Sequence, residues 1–197
     1  MPFIGVQPAS ALLTSADIQD GQITTAKVAD DAITGAKIEN NPTIAGTLNA
    51  SAGLTTPSGH VIQVAQGTQG GAVNFTSSSY NASSLDVDFT PQFTSSKVFV
   101  LCNFSVDTQA GGRQLYATIY RDSTRLDSIA VSGAYGFATS YEAGDRQINT
   151  LTCMVLDSPS TTSSIHYELY CRGANTDQVQ IGSQSVANII TCMEIAG

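Results

Sequence analysis

The 197-residue chain has no tryptophan, two histidines and few charges of either sign. Charged residues make up 12% of it, about half the share of an average soluble domain. Eight Lys and Arg are scattered among sixteen Asp and Glu, giving a formal net charge of −8. Without a basic cluster there is no electrostatic footprint for nucleic acid, and no nucleic-acid partner is expected. No apolar run approaches the ~20 residues of a membrane span, so no membrane insertion is expected. The first ten residues lack a basic stretch followed by a long apolar one, and no secretion signal is expected there. The four cysteines, Cys102, Cys153, Cys171 and Cys192, form no C-x-x-C pair. That leaves out the usual zinc and redox spacings. They are expected reduced and buried, as small hydrophobes.

The chemistry of an enzyme is thin as well. His166 lies two residues from Glu168 on one strand face, but nothing else completes a triad or a metal site. Asp86 and Asp88 share a strand face at a spacing that a glycosidase pair would tolerate. No Gly-rich loop leads from a strand into a helix, so no phosphate cradle is expected. Asp20-Gly21 and Asp30-Asp31 lack the spacing of a calcium loop and read as turns. The expectation is a protein that is not an enzyme, with no cofactor, no metal and no catalytic residues.

What is present is Ser, Thr, Asn, Gln and Gly in abundance, a composition that reads as β structure. Three segments differ in pattern. Residues 1–13 form a short lead whose apolar cluster, Phe3, Ile4, Gly5, Val6 and Pro8, has no period. It reads as a docking peptide, ordered against a partner. Residues 14–58 begin with a repeat. Thr14-Ser-Ala-Asp-Ile-Gln-Asp-Gly-Gln-Ile23 aligns with Thr24-Thr-Ala-Lys-Val-Ala-Asp-Asp-Ala-Ile33, and a third copy from Thr34 decays at Pro42. Ile18, Ile23, Val28, Ile33 and Ile38 recur every five residues, a period of neither helix nor strand. Asp/Asn-Gly-type pairs supply turns. One such unit cannot bury its own apolar row, so other chains must cover it. A threefold shaft with that row on its axis meets the requirement, and a homotrimer is expected. Residues 43–58 read as a neck.

Residues 59–197 alternate with period two. Val98, Val100, Cys102, Phe104 and Val106 share a face; so do Leu115, Ala117 and Ile119; so do Ile165, Tyr167, Leu169 and Cys171. Turn clusters separate these runs, and no helical pattern intervenes. About eight strands in an antiparallel sandwich, a jelly-roll head, are expected. If the chain enters and leaves this head at one end, the connections 107–113, 132–146 and 172–187 lie at the other. The middle one carries Tyr135, Phe137 and Tyr141 among glycines, a candidate contact with a receptor.

Several stretches carry a resemblance. Tyr80-Asn-Ala-Ser-Ser-Leu-Asp-Val-Asp-Phe-Thr-Pro91, Thr94-Ser-Ser-Lys-Val-Phe-Val100, Leu156-Asp-Ser-Pro-Ser-Thr-Thr162 and Ile190-Thr-Cys-Met-Glu-Ile195 resemble a recurring head domain of tailed-bacteriophage tail-fibre and related virion proteins. The repeat is similar to the Ile-Thr-x-x-Lys-Ile repeats of phage fibres. Phe3-Ile-Gly-Val-Gln-Pro8 resembles the virion-proximal start of some of them. In strand pattern alone the head resembles the trimeric jelly rolls of tumour necrosis factor and complement-type domains. The resemblance implies an all-β homotrimeric fibre or spike on the virion. Its N-termini would meet other virion proteins, of the tail, portal adaptor or capsid, and its heads would meet a host surface glycan or protein. A capsid decoration or head-fibre protein is the alternative it implies.

Overall fold

A computed structural model describes residues 18–19, 21–29, 57–127, 136–141, 143–176, 178–183 and 186–197. The chain divides into two units, Met1–Gly53 and Leu54–Gly197, so the division falls inside the expected neck. In the first unit, the Gln22 N–H donates to the Gln19 carbonyl at 3.1 Å across Gly21, the turn that the Asp-Gly pair predicts. Thr25–Lys27 form one 3-10 turn, and the Lys27 ammonium donates to the Gln22 carbonyl at 2.6 Å. Ile18 and Ile23 are exposed and Val28 is half-buried. Ile33, Ile38 and the docking residues Phe3, Ile4, Gly5, Val6 and Pro8 lie outside the described residues.

The second unit is all-β. Its described strands are β1 (Val61–Gln69), β2 (Val73–Phe75), β3 (Asn81–Phe89), β4 (Lys97–Asp107), β5 (Gln114–Arg121), β6 (Thr124–Arg125), β7 (Ala138–Tyr141), β8 (Ile148–Asp157), β9 (Ile165–Gly173), β10 (Val179–Ile181) and β11 (Asn188–Ile195). Every paired strand runs antiparallel to its neighbour. The short strands fall in line. β11 and β10 both line one edge of β4, while β1 and β2 follow beside them; β6 and β7 both line one edge of β5. Four lanes result in each sheet. Numbered along the chain, with β1/β2 as one lane, β6/β7 as another and β10/β11 as the last, the first sheet reads 6-3-8-1. The second reads 2-7-4-5. An antiparallel sandwich is therefore what the alternating pattern builds.

The alternation decides the core. The expected inward residues of β4, from Val98 to Val106, are all buried, as are Leu115, Ala117 and Ile119 of β5 and Ile165, Tyr167, Leu169 and Cys171 of β9. A bulge in β3 between Ala82 and Asp86 keeps that strand in phase. The bulged Ser84 has a φ of 59°, and its N–H donates to the Glu168 carboxylate at 2.8 Å. A one-residue slip without it would turn Leu85, Val87 and Phe89 outward. One polar clasp joins the sheets. Asp157 of β8 accepts from the Arg121 guanidinium at 2.8 Å and from the buried Tyr167 hydroxyl at 2.7 Å.

All four cysteines are free and buried, and Cys102 and Cys153 face each other across β4 and β8. Burial pushes the thiols of Cys153 and Cys192 up to about 12, and those of Cys102 and Cys171 well above their ordinary value. The thiolate is the reactive form. A disulfide-exchange dye should therefore label none of the four in the native protein and all four in denaturant. Labelling of the native protein at the rate of a free thiol would contradict the burial.

Candidate functional site

The two ends of the sandwich differ in chemistry. At the entry end the Gly59 N–H donates to the Ala196 carbonyl, and the Ala196 N–H donates to the His60 carbonyl, both at 2.8 Å. The second unit thus begins and ends side by side. At the opposite end, the connection that follows β4 meets the residues just before β8 and β10. Gly111 lies so close to the Gly144 carbonyl that a Cβ there would come within 2.3 Å of the oxygen.

A hydrogen-bonded cluster ties these loops. Asp107 is fully buried and takes a two-pronged grip from Arg146, one prong at 2.9 Å. It also accepts from the Gln109 N–H at 2.9 Å and the Gln109 side-chain amide at 3.0 Å. The Arg146 hydrogen bonds hold its carboxyl below the usual carboxylate range, against the effect of burial. Gln109 donates on to Gln180 at 2.9 Å, and Arg113 to the Gln178 carbonyl at 2.8 Å. Gln178 and Gln180 both donate to the Asn74 side chain, at 2.8 and 2.9 Å. The Thr108 hydroxyl accepts from the Gln147 N–H at 3.0 Å. This end is a surface of amide and guanidinium groups hydrogen-bonded to one another.

The expected receptor residues divide. Tyr141, on β7 beside Gln114, is exposed. Phe137 is half-buried and packs against the core, with its N–H donating to the Ala117 carbonyl at 2.8 Å. Its ring is occupied in packing. Tyr135 lies outside the described residues. The Gly-rich stretch thus contains a strand, because β5 offers a free edge to pair with. The chain matches no family model, and no curated protein matches it.

Two clusters on the outer face of the second sheet escaped the sequence reading. Arg172 sits over the rings of Tyr80 and Tyr116, at 5.3 and 4.2 Å from their centroids, and Arg125 sits over Tyr80 at 4.6 Å. Tyr120 and Tyr170 stack at 4.0 Å. Burial raises the Tyr80 hydroxyl, opposed by the two arginines. These contacts join four elements far apart in sequence, so no local pattern announces them. Further along this face His166 Nδ1 meets Asp88 at 2.8 Å, and Nε2 lies 3.6 Å from Glu168. The Asp88 hydrogen bond raises the imidazole above its ordinary value. The sequence pointed to Glu168, but the closer partner comes from the neighbouring strand. Among the described residues no group of three or more His, Cys, Asp or Glu is placed to hold a metal ion.

Proposed function

We propose that the chain is a virion structural protein of a tailed bacteriophage, a short homotrimeric tail fibre or spike. It is assembled in the host bacterium, held to the particle by Phe3, Ile4, Gly5, Val6 and Pro8, and ends in a jelly-roll head that contacts the host surface. The observation that carries this reading is the union of two unlike parts in one chain. A ten-residue repeat leaves Ile18 and Ile23 exposed. After it comes an antiparallel sandwich whose lane orders, 6-3-8-1 and 2-7-4-5, match a jelly roll built of two Greek keys. A decapeptide repeated so few times cannot cover its own Ile/Val row, and three chains around an axis can. The row Ile18, Ile23, Val28, Ile33 and Ile38 then forms the shaft interior.

Host contact belongs to the end far from residues 59 and 197, where Tyr141 stands exposed near Gln114 and the amide cluster. A tyrosine ring loses little entropy on ordering and presents apolar area to a sugar face or a protein. Tyr135, outside the described residues, is the second candidate contact of that stretch. Purified protein should bind host cells and compete with the particles for adsorption. The Tyr135→Ala/Tyr141→Ala double variant should lose at least tenfold in cell binding while its mass in solution stays that of a trimer. Antibody raised against the chain should label purified particles, and the labelled part distinguishes a tail fibre from a capsid decoration. Particles that carry no label would overturn the reading.

A further inference from the structure

Over β1, β11, β4 and β8 the outer face of the first sheet carries many apolar residues and, between its ends, no charge. Paired residues share a face, so the registers define it row by row. Val64, Met193, Phe99 and Leu156 form one row across the four lanes. Gln66, Thr191, Leu101 and Met154 form the next, and Thr68, Ile189, Asn103 and Thr152 the third. Val61 and Ile195 continue it toward the entry end. Val61, Val64, Met154 and Leu156 are each at least 50% exposed. Phe99, Leu101, Ile189, Met193 and Ile195 are half-buried.

Charge is confined to the margins. Lys97 stands at one end of β4 and Asp107, already gripped by Arg146, at the other. Between them no outward position of β1, β11, β4 or β8 is ionisable. Two pairs of polar residues within the face satisfy each other. Gln66 donates to Thr191 at 3.2 Å, and Asn103 to Thr152 at 3.0 Å. Covering these groups therefore leaves few unmade hydrogen bonds. Four lanes of eight residues span roughly 500 Å² of flat area before side-chain relief is counted. That is the order of one side of a stable interface, about 800 Å².

We infer that this face is where copies of the chain meet, head against head, so that the head as well as the shaft holds the trimer. The inference rests on the trimeric reading above and names its second interface. The charge distribution selects the occupant. A chain of net charge −8 repels its own copies over most of its surface, and this face is where that repulsion is absent. A basic partner would find nothing here to pair with, and an apolar centre stripped of charge is the pattern of a protein–protein contact. The face also has two unlike apolar flanks, Val61 and Val64 on β1 and Met154 and Leu156 on β8. A closed ring of three needs two different patches on each chain, one meeting the other.

The test uses the full chain and a Val64→Lys/Leu156→Lys variant, with mass in solution followed by light scattering on dilution. Both side chains are exposed in the single chain, so far-UV circular dichroism should be unchanged. The expected result is a trimer whose dissociation constant rises at least about a hundredfold in the variant, since each lysine would be desolvated without a partner. An unchanged constant overturns the head-to-head contact and leaves the shaft trimer standing. A monomeric unaltered chain overturns both. A second variant, Met154→Trp, reads the same face without adding charge. The chain has no tryptophan of its own, so its emission reports that position alone. Blue-shifted, quencher-protected emission that shifts to the red on dilution is expected. Solvent-like emission from an intact trimer overturns the inference.

Discussion

Replacing Gly67 by alanine should destabilise the head by about 3 kcal/mol or more, lowering its melting temperature by roughly 10 °C. Gly67 lies in β1 opposite Ile190, where one edge of the first sheet passes over β3 of the second. A Cβ there would sit 1.8 Å from the Asp86 carbonyl oxygen and 3.0 Å from the Ile190 side chain. The nearer obstacle is backbone, held in place by the β3–β9 ladder. No rotamer change can relieve it, so the two sheets must part along that edge. Close-packed interiors transmit such a shift rather than absorb it. Gly70→Ala is the control. It lies just beyond the same strand with no atom within 4 Å of its Cβ position, and its effect should stay within about 0.5 kcal/mol. Equal melting temperatures for the two variants would refute the account of Gly67.

The second large effect is expected at Glu194. This carboxylate is fully buried on the inner side of β11. One oxygen accepts the N–H groups of Gln92 and Phe93, at 2.8 and 3.2 Å; the other accepts from the Gln63 side chain at 2.6 Å. It is the acceptor around which the turn between β3 and β4 is folded. Glu194→Ala removes it and leaves those part-buried donors without their acceptor. The expected loss is about 3–4 kcal/mol in urea unfolding. Glu194→Gln keeps one oxygen for the two N–H groups and sets its amide against the Gln63 amide. Gln63 also donates to the Thr90 carbonyl at 2.7 Å, so it cannot turn over without losing that bond. A loss of about 1–2 kcal/mol is expected. If the alanine variant unfolded within about 1 kcal/mol of the original, water would have to reach the turn, and the role assigned to Glu194 would fall.

Glu194 illustrates how far a linear reading reaches. The final run was legible as a strand from its alternation, and its inward phase was legible too. That an acidic residue in that phase should cap a turn 101 and 102 residues earlier in the chain was not. The same holds for Asp107 and Arg146, 39 residues apart, and for Tyr80, Arg125 and Arg172 on the second sheet. The stretch around Phe137 shows the opposite failure. Its glycines read as an open loop, yet part of it is strand β7, because the free edge of β5 lies alongside. Phe137 is thereby drawn against the core, while Tyr141 keeps its exposed position.

The sequence by itself determined the class of the head, the inward phase of β4, β5 and β9, the buried thiols and the turn at Gly21. Each depends on a residue and its near neighbours, and period-two alternation is a local property. Only the tertiary structure decided which lanes adjoin and which apolar residues stay uncovered. In β4 the inward phase of Val98, Val100 and Cys102 turns Phe99 and Leu101 outward, but alternation gave no hint whether a further layer covers them. In β8 the pairs Cys153/Val155 and Met154/Leu156 were equally good claimants to the core. Pairing with β4 put Cys153 opposite Cys102 and turned Met154 and Leu156 out. Strand pairing joins residues distant in sequence, and its energy lies in the paired ladders and the packed interior rather than in either segment alone.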